Sequence, residues 1–408
     1  MPLRHLTWLP TILAGIIATT ISYAGPLVIV FQASAGLEQP LVASWVWAIS
    51  IGSGVLGIVL SLRWKVPIVI AWSAPGSALL VTMLPQTDFA TAIGAYIVAN
   101  VAVFLVGISG AFDQLTRRLP PAITAAMLAG ILFRFVIDMV GTLPEAPLTV
   151  VAMMGAFFAG RVVSPRYAVV AVLVVGVTLC ALTGSLSGTI ATPSLTLPVW
   201  TTPRFDLAAA ANIAVPLAVV ALTGQFLPGI AVLRTAGFEH PPARPLISAS
   251  AITSVVLAPF GCHGLNLAAL TAAICLGEEA HPEKEKRYVA GVAGGVTYLV
   301  FGAFASTVLA LFALLPEFLI AALAGLALFP VVAGSLSAAL KAEDGRDGAL
   351  VTFAVSASGL TLFGLGAALW GLVFGIAVHL LQTFALHRRP LAPTAPRPAS
   401  DTSARQPG

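Results

Sequence analysis

Long apolar runs, each close to the length of a membrane crossing and parted by short polar turns, leave this chain few folds to choose from. Only 9% of its 408 residues are charged and 58% are hydrophobic, whereas an ordinary soluble domain carries about 25% charged residues. The chain therefore reads as an all-α polytopic membrane protein. A spanning helix needs roughly 20 apolar residues. Counting on that basis gives fourteen segments, near 9–31, 41–61, 66–84, 89–111, 120–141, 147–161, 166–184, 206–232, 245–257, 258–277, 288–312, 316–340, 348–363 and 366–386. The first run is too long for a signal-peptide core, although Ala33-Ser34-Ala35 resembles a cleavage site.

Charge tests the count independently, because Lys and Arg collect on the cytoplasmic side of alternate loops. With the N-terminus inside, Arg4, Arg63, Lys65, Arg117, Arg118, Arg161, Arg166, Arg234, Arg244, Lys284, Lys286, Arg287, Lys341, Arg346, Arg388 and Arg389 all fall inside. The outer loops hold Arg204 as their one basic residue, alongside Glu38, Asp88, Glu145, Asp206 and Glu317. Both termini are expected to be cytoplasmic, and the Pro/Ala/Ser/Arg-rich tail 388–408 to be a disordered extension. Basic residues scattered singly do not make a nucleic-acid surface; lipid is the expected environment. Cys180, Cys262 and Cys275 lack metal-ligand spacing. No metal and no cofactor are expected.

Two of the segments are interrupted. In Val66 to Leu84 a β-branched stretch to Trp72 gives way to the turn Ser73-Ala74-Pro75-Gly76 and a helix-forming run from Ser77. In Ala258 to Gly277, Pro259, Gly261 and Gly264 break the first part. From His263 onward the Ala/Leu-rich run Leu265 to Leu276 is expected to propagate as helix. Each reads as a short extended lead-in plus a half-helix starting at the midplane, where irregular backbone survives only inside protein or along a cavity.

The halves echo each other. Leu119-Pro120, Ala125-Ala126, Leu128-Ala129-Gly130 and Phe133 recur as Leu315-Pro316, Ala321-Ala322, Leu323-Ala324-Gly325 and Phe329, an offset of 195 to 196, while Pro75-Gly76 is matched to His263-Gly264 at 188. Seven spans per half is odd, so the halves have opposite orientation: an inverted repeat, 1–204 and 205–387, split near Thr201 to Asp206.

Two half-helix N-termini facing each other supply roughly one positive charge with free amides, a cradle for an anion. Ser73 and Ser77 on one side, and Cys262, His263 and Asn266 on the other, are the expected donors, with Pro75, Gly76 and Gly264 shaping close backbone approach. His263 is the candidate proton carrier, since a bound carboxylate and a protonated imidazole favour each other. Gln225, followed by Pro228-Gly229, is a further ligand contact; Tyr23 and Asn100 are weaker ones. Arg134 and Asp138, four apart, form an expected structural ion pair. No nucleophile and base stand at matching depth, which argues against an enzyme.

The stretches Trp72-Ser73-Ala74-Pro75-Gly76-Ser77-Ala78 and Pro259 to Cys275, with Gly277-Glu278-Glu279-Ala280-His281-Pro282 and Arg287-Tyr288, resemble the benzoate:proton symporter (BenE) family from about residue 5 to 386. The resemblance implies uptake of benzoate with a proton across a bacterial inner membrane. It also implies kinship with uracil/xanthine permeases, in which a core domain carrying crossed half-helices moves against a gate domain, often within a homodimer. Nucleobase carriers of that fold place glutamates on the eighth and tenth spans, where this chain has Gln225 and Asn266. Losing those carboxylates suits an anionic ligand. Phe260, Trp72, Tyr23 and Phe226 are the expected walls for an aromatic ring. A nucleobase or other small-anion symporter, or a passive anion channel, is the alternative.

Overall fold

The computed structural model describes residues 8–112, 114, 120–186, 192–239, 241–341, 345–363 and 365–387. The tail 388–408, the basic residues Arg4, Arg117, Arg118, Arg388 and Arg389, and Leu119 of the repeat lie outside the described residues. In chain order the helices are α1 (Leu9–Ala24), α2 (Pro26–Ala33), α3 (Gln39–Trp64), α4 (Ala74–Met83), α5 (Phe89–Ser109), α6 (Pro121–Gly141), α7 (Pro147–Val163) and α8 (Ala168–Leu182). They continue as α9 (Leu207–Thr235), α10 (Ala243–Leu257), α11 (Ala269–Leu276), α12 (Tyr288–Ala303), α13 (Ala305–Ala313), α14 (Glu317–Leu340), α15 (Arg346–Ala357) and α16 (Ala367–His387). Among the described residues, eight helical stretches are long and apolar enough to cross a membrane, and the bent pair α12–α13 adds a ninth. The protein is a mostly helical polytopic membrane protein.

Two three-residue strands cross at its centre. β1 (Ile70–Trp72) pairs antiparallel with β2 (Leu265–Leu267), Ile70 opposite Leu267, Ala71 opposite Asn266 and Trp72 opposite Leu265. All six residues are buried, so pairing is what satisfies their amides and carbonyls. Ala268 N donates to Val69 O at 3.0 Å and extends the ladder. In the first interrupted segment a strand leads into a half-helix, but the expected turn Ser73-Ala74-Pro75-Gly76 is absent: Ser73 caps the helix, which begins at Ala74 and not at Ser77. The second departs further: Ala258–Phe260 is a single 3-10 turn, Leu265–Leu267 is strand, and helix begins at Ala269, several residues later than propensity suggests. Leu and Asn are tolerable in either state, and the partner strand decides between them.

Other breaks have local causes. Gly25-Pro26 separates α1 from α2, because Pro26 cannot donate to the preceding turn. α9 contains two π-helical stretches, Ala210–Ala214 and Val220–Phe226, each ending two residues before a proline, Pro216 and Pro228. The widened turns absorb the missing amide donors. The expected span 288–312 bends by 72° between α12 and α13. The freed groups there are taken by the extended segment that precedes α9: Thr196 N donates to Ala303 O at 2.8 Å, and Ser306 N donates to Thr196 Oγ1 at 2.8 Å.

The helices pack as two groups. α1, α3, α5, α9, α10 and α12 surround the strand pair and the two short helices that follow it, while α6, α14, α15 and α16 pack on one another with α7 and α8 alongside. Small residues let backbones approach: a Cβ on Gly54 would stand 2.7 Å from Gly295 O, and one on Gly130 would stand 2.8 Å from Phe353 O.

Candidate functional site

Behind the strand crossing His263 ties three helices together. Trp45 Nε1 of α3 donates to His263 Nδ1 at 3.0 Å. An indole nitrogen can only donate, so Nδ1 is an acceptor and the ring hydrogen sits on Nε2. Nε2 in turn lies 3.0 Å from Ser77 Oγ and 3.3 Å from Ser73 O at the start of α4. Asn100 Nδ2 of α5 donates to His263 O at 3.2 Å. The ring is fully buried and packs edge-on against Trp45 at 5.6 Å and Tyr96 at 6.2 Å. Both nitrogens are engaged, and the imidazole is neutral in this arrangement.

The start of α4 is closed by its own residues. Ser73 Oγ accepts from Gly76 N at 2.9 Å, and Ser77 Oγ donates to Ser73 O at 3.0 Å. At α11 the capping position is Ala268, which has no side-chain acceptor. Its first-turn amides lack the partner that Ser73 gives α4.

The start of α11 opens instead into a mostly apolar cavity of about 370 Å³. Helix interruptions converge on it: Pro26 after the α1 break, Pro75 at the head of α4, Pro228 at the second π turn of α9, and Pro330 inside α14 all line the wall. Gln225, Ser22, Trp72 and Thr271 are also on the wall, and among the described residues none that lines it is ionisable. Two of them carry buried polar atoms without a protein partner, Thr271 Oγ1 and Trp72 Nε1. An unmade hydrogen bond at a buried group costs about 1–3 kcal/mol, and both atoms belong to side chains on the cavity wall. The donors gathered here suit a small anion with an apolar body.

The sequence-expected residues divide between these two places. Pro75 and Gln225 reach the cavity wall, as does Trp72 among the expected ring contacts. Ser73, Ser77, His263 and Gly264 lie in or against the hydrogen-bonded cluster behind the strands. Asn266 sits at the centre of β2 with Nδ2 buried and unpartnered, Gly76 packs against Leu217, and Cys262 is buried; none of the three is on the wall. Tyr23 hydrogen-bonds Ser50 and packs edge-on against Trp72 at 5.4 Å. Phe260 packs against Trp47 and Trp200, and Phe226 is fully buried, so neither is a wall. Asn100 braces the His263 carbonyl, and Arg134 and Asp138 do pair, at 3.7 Å and well exposed.

Sequence reasoning missed Thr271, a polar residue hidden in a helix-forming run, and Trp45, whose partner lies 218 residues away. It also gave Arg287 no role. That side chain is 7% exposed and donates to Leu276 O at 2.7 Å, to His281 O at 2.8 Å and to Pro282 O at 3.5 Å, holding a cation at the C-terminal end of α11. A positive charge there complements the helix dipole.

Comparison with known proteins agrees with this anatomy. The family described as benzoate membrane transport protein matches residues 6–381. The benzoate membrane transport protein of Acinetobacter baylyi is 42% identical over 371 residues, covering 90% of this chain and 94% of that protein. The inner membrane protein YdcO of Escherichia coli is 41% identical over 368 residues, with the same coverage of both chains. Among solved structures, the transmembrane domain of the cyanobacterial bicarbonate transporter BicA aligns with a TM-score of 0.56 at 14% identity, over 93% of this chain and 98% of that one. The murine solute carrier 26 family member A9 anion transporter, in its inward-facing state, aligns with a TM-score of 0.60 at 13% identity, over 95% and 69%. At such identities the likeness is one of fold.

Proposed function

The chain belongs to the benzoate membrane transport protein family, whose members are transporters and not enzymes, and from that premise we propose that it imports benzoate, or a similar aromatic monocarboxylate, together with a proton. The observation that carries the ligand class is the meeting of the uncapped α11 N-terminus with Thr271, whose hydroxyl has no protein partner, on the wall of an apolar cavity. The carboxylate lies against the first turn of α11 and Thr271, with Gln225 beside it. The ring occupies the apolar remainder, bounded by Trp72, Ile29, Pro330 and Val331.

Alternating access follows from where the cavity sits. Its wall is shared between the group of helices that surrounds the strands and the group containing α14, so movement of one group against the other opens or closes it. Seven segments per half, 1–204 and 205–387 with both termini cytoplasmic, is the arrangement we adopt. The strand register supports it: Ala71 pairs with Asn266, 195 residues on, and the same step carries Ile70 to Leu265 and Trp72 to Leu267. A pseudo-two-fold axis through that pair relates the halves. His263, sealed between Trp45 and Ser77, clamps the half-helices in this reading and does not touch the ligand. With no ionisable residue on the wall among the described residues, the coupled proton is handled away from ligand contact in this conformation.

The test is uptake of labelled benzoate into proteoliposomes under an imposed inward proton gradient, against protein-free vesicles because benzoic acid itself crosses lipid. Saturable, gradient-driven accumulation with counterflow is expected. Flux without saturation or counterflow would mark a channel, and transport of a nucleobase in place of benzoate would overturn the ligand assignment.

A further inference from the structure

A second cavity of about 500 Å³ lies between the two helix groups on the opposite side of the crossing. Thr82 of α4 and Gln86 beyond it, Arg134 of α6 and Ser356 of α15 are on its wall. α4 runs from the strand crossing towards Asp88, on the face that the charge pattern places outside. The basic residue of the outer loops, Arg204, is engaged with Asp88 at 3.5 Å. Arg134 is therefore the cation available in this cleft. Its guanidinium is held loosely, with Nε 3.7 Å from Asp138 Oδ2 and side-chain exposures of 62% and 51%. Arg134 lines the cavity and Asp138 does not. Deeper in, Ser356 Oγ is buried and has no partner.

A structural role explains this pair poorly. An exposed i,i+4 ion pair contributes about 0.3–0.5 kcal/mol. Placing a charged side chain within a membrane span costs more, and such residues mark ligand pathways. A cation on the wall of a cleft otherwise lined by neutral residues concentrates anions where diffusion alone would not.

We propose that this cleft is a second anion site, the outer vestibule for the carboxylate, in which Arg134 collects the incoming anion and Asp138 sets its affinity by competing for the same guanidinium. The inference rests on the transport reading above.

The test is initial-rate benzoate uptake from the outer face, in vesicles of known sidedness, for wild type, Arg134→Gln, Arg134→Lys and Asp138→Asn. Arg134→Gln should raise KM about three- to tenfold with little change in maximal rate and flatten its rise with ionic strength, as loss of a steering charge does. Arg134→Lys should stay close to wild type, and Asp138→Asn should lower KM about two- to threefold, the opposite sign. A pair that only braces the helix would make the Gln and Asn variants fail alike, in maximal rate and in thermal stability, and that result, or no change in either, overturns the vestibule. Absence of benzoate flux in wild type would overturn the transport reading and the vestibule with it.

Discussion

If His263 is a clamp, its loss should cost stability while leaving proton coupling in place. The ring accepts one hydrogen bond from Trp45 and donates from Nε2 towards Ser73 O and Ser77 Oγ, in full burial. His263→Ala removes these bonds, worth about 1 kcal/mol each net, and strands the Trp45 indole N–H at a further ~1–3 kcal/mol. The vacated volume adds to that, for a total of about 3–5 kcal/mol. His263→Gln should cost far less, about 1 kcal/mol, because a carboxamide offers an acceptor and a donor side by side as the ring does. The assays are the thermal unfolding midpoint of detergent-solubilised protein and gradient-driven accumulation in proteoliposomes. The Ala variant should unfold many degrees lower, and the Gln variant should accumulate benzoate uphill nearly as wild type. A Gln variant that keeps its midpoint and benzoate exchange but loses uphill accumulation would refute the clamp and make His263 the proton carrier.

Four further outcomes follow from the same geometry. Thr271→Val, which preserves shape and removes the orphan hydroxyl, should raise the Kd for benzoate about tenfold, matching loss of a hydrogen bond to a charged group; Gln225→Glu should weaken binding further by placing a like charge on the wall, and equilibrium binding measures both. Gly261→Ala should destabilise by about 1–3 kcal/mol or more, since its φ of 106° is strained for any L side chain and the new Cβ would stand 2.8 Å from Trp45 Cα, a loss read in the unfolding midpoint. Arg287→Gln should weaken benzoate binding several-fold by removing the cation behind α11, and Arg287→Lys should restore part of it, since Lys keeps the charge without the three-carbonyl fork.

How much of this was legible in the sequence depends on where the deciding interaction lies. The strand and half-helix at Val66 to Leu84 have local signals, β-branched residues up to Ile70 and then Ser73-Ala74-Pro75-Gly76, but that stretch reads as a turn where the structure makes Ser73 a cap and puts Pro75 in the first helical turn. The second crossing could not be read locally, because Leu265, Asn266 and Leu267 become strand only by pairing with Trp72, Ala71 and Ile70. His263 stands out in the sequence as an ionisable residue inside a membrane span, yet the residue that fixes its proton is Trp45, and nothing in an apolar helix marks which tryptophan will face it.

Thr271 was within reach. The landmarks on α6 and α14 repeat at 195 to 196 residues, and matching Pro75-Gly76 to His263-Gly264 at 188 departs from that spacing. Keeping 195, the spacing of the paired Ala71 and Asn266, sets Ala269 opposite Ala74 and Thr271 opposite Gly76, and helix begins at both alanines. Glycine in the first turn of one half-helix and threonine in the first turn of the other is then the chemical difference between the two poles. The pole with Ser73 as its cap is closed by its own side chains, while the pole with Ala268 and Thr271 is left open towards the cavity. If the ligand's carboxylate lies at the open pole, Ala268→Ser, which supplies α11 with the cap that Ser73 gives α4, should compete for the same amides and weaken benzoate binding. Unchanged affinity in that variant would move the anion away from α11.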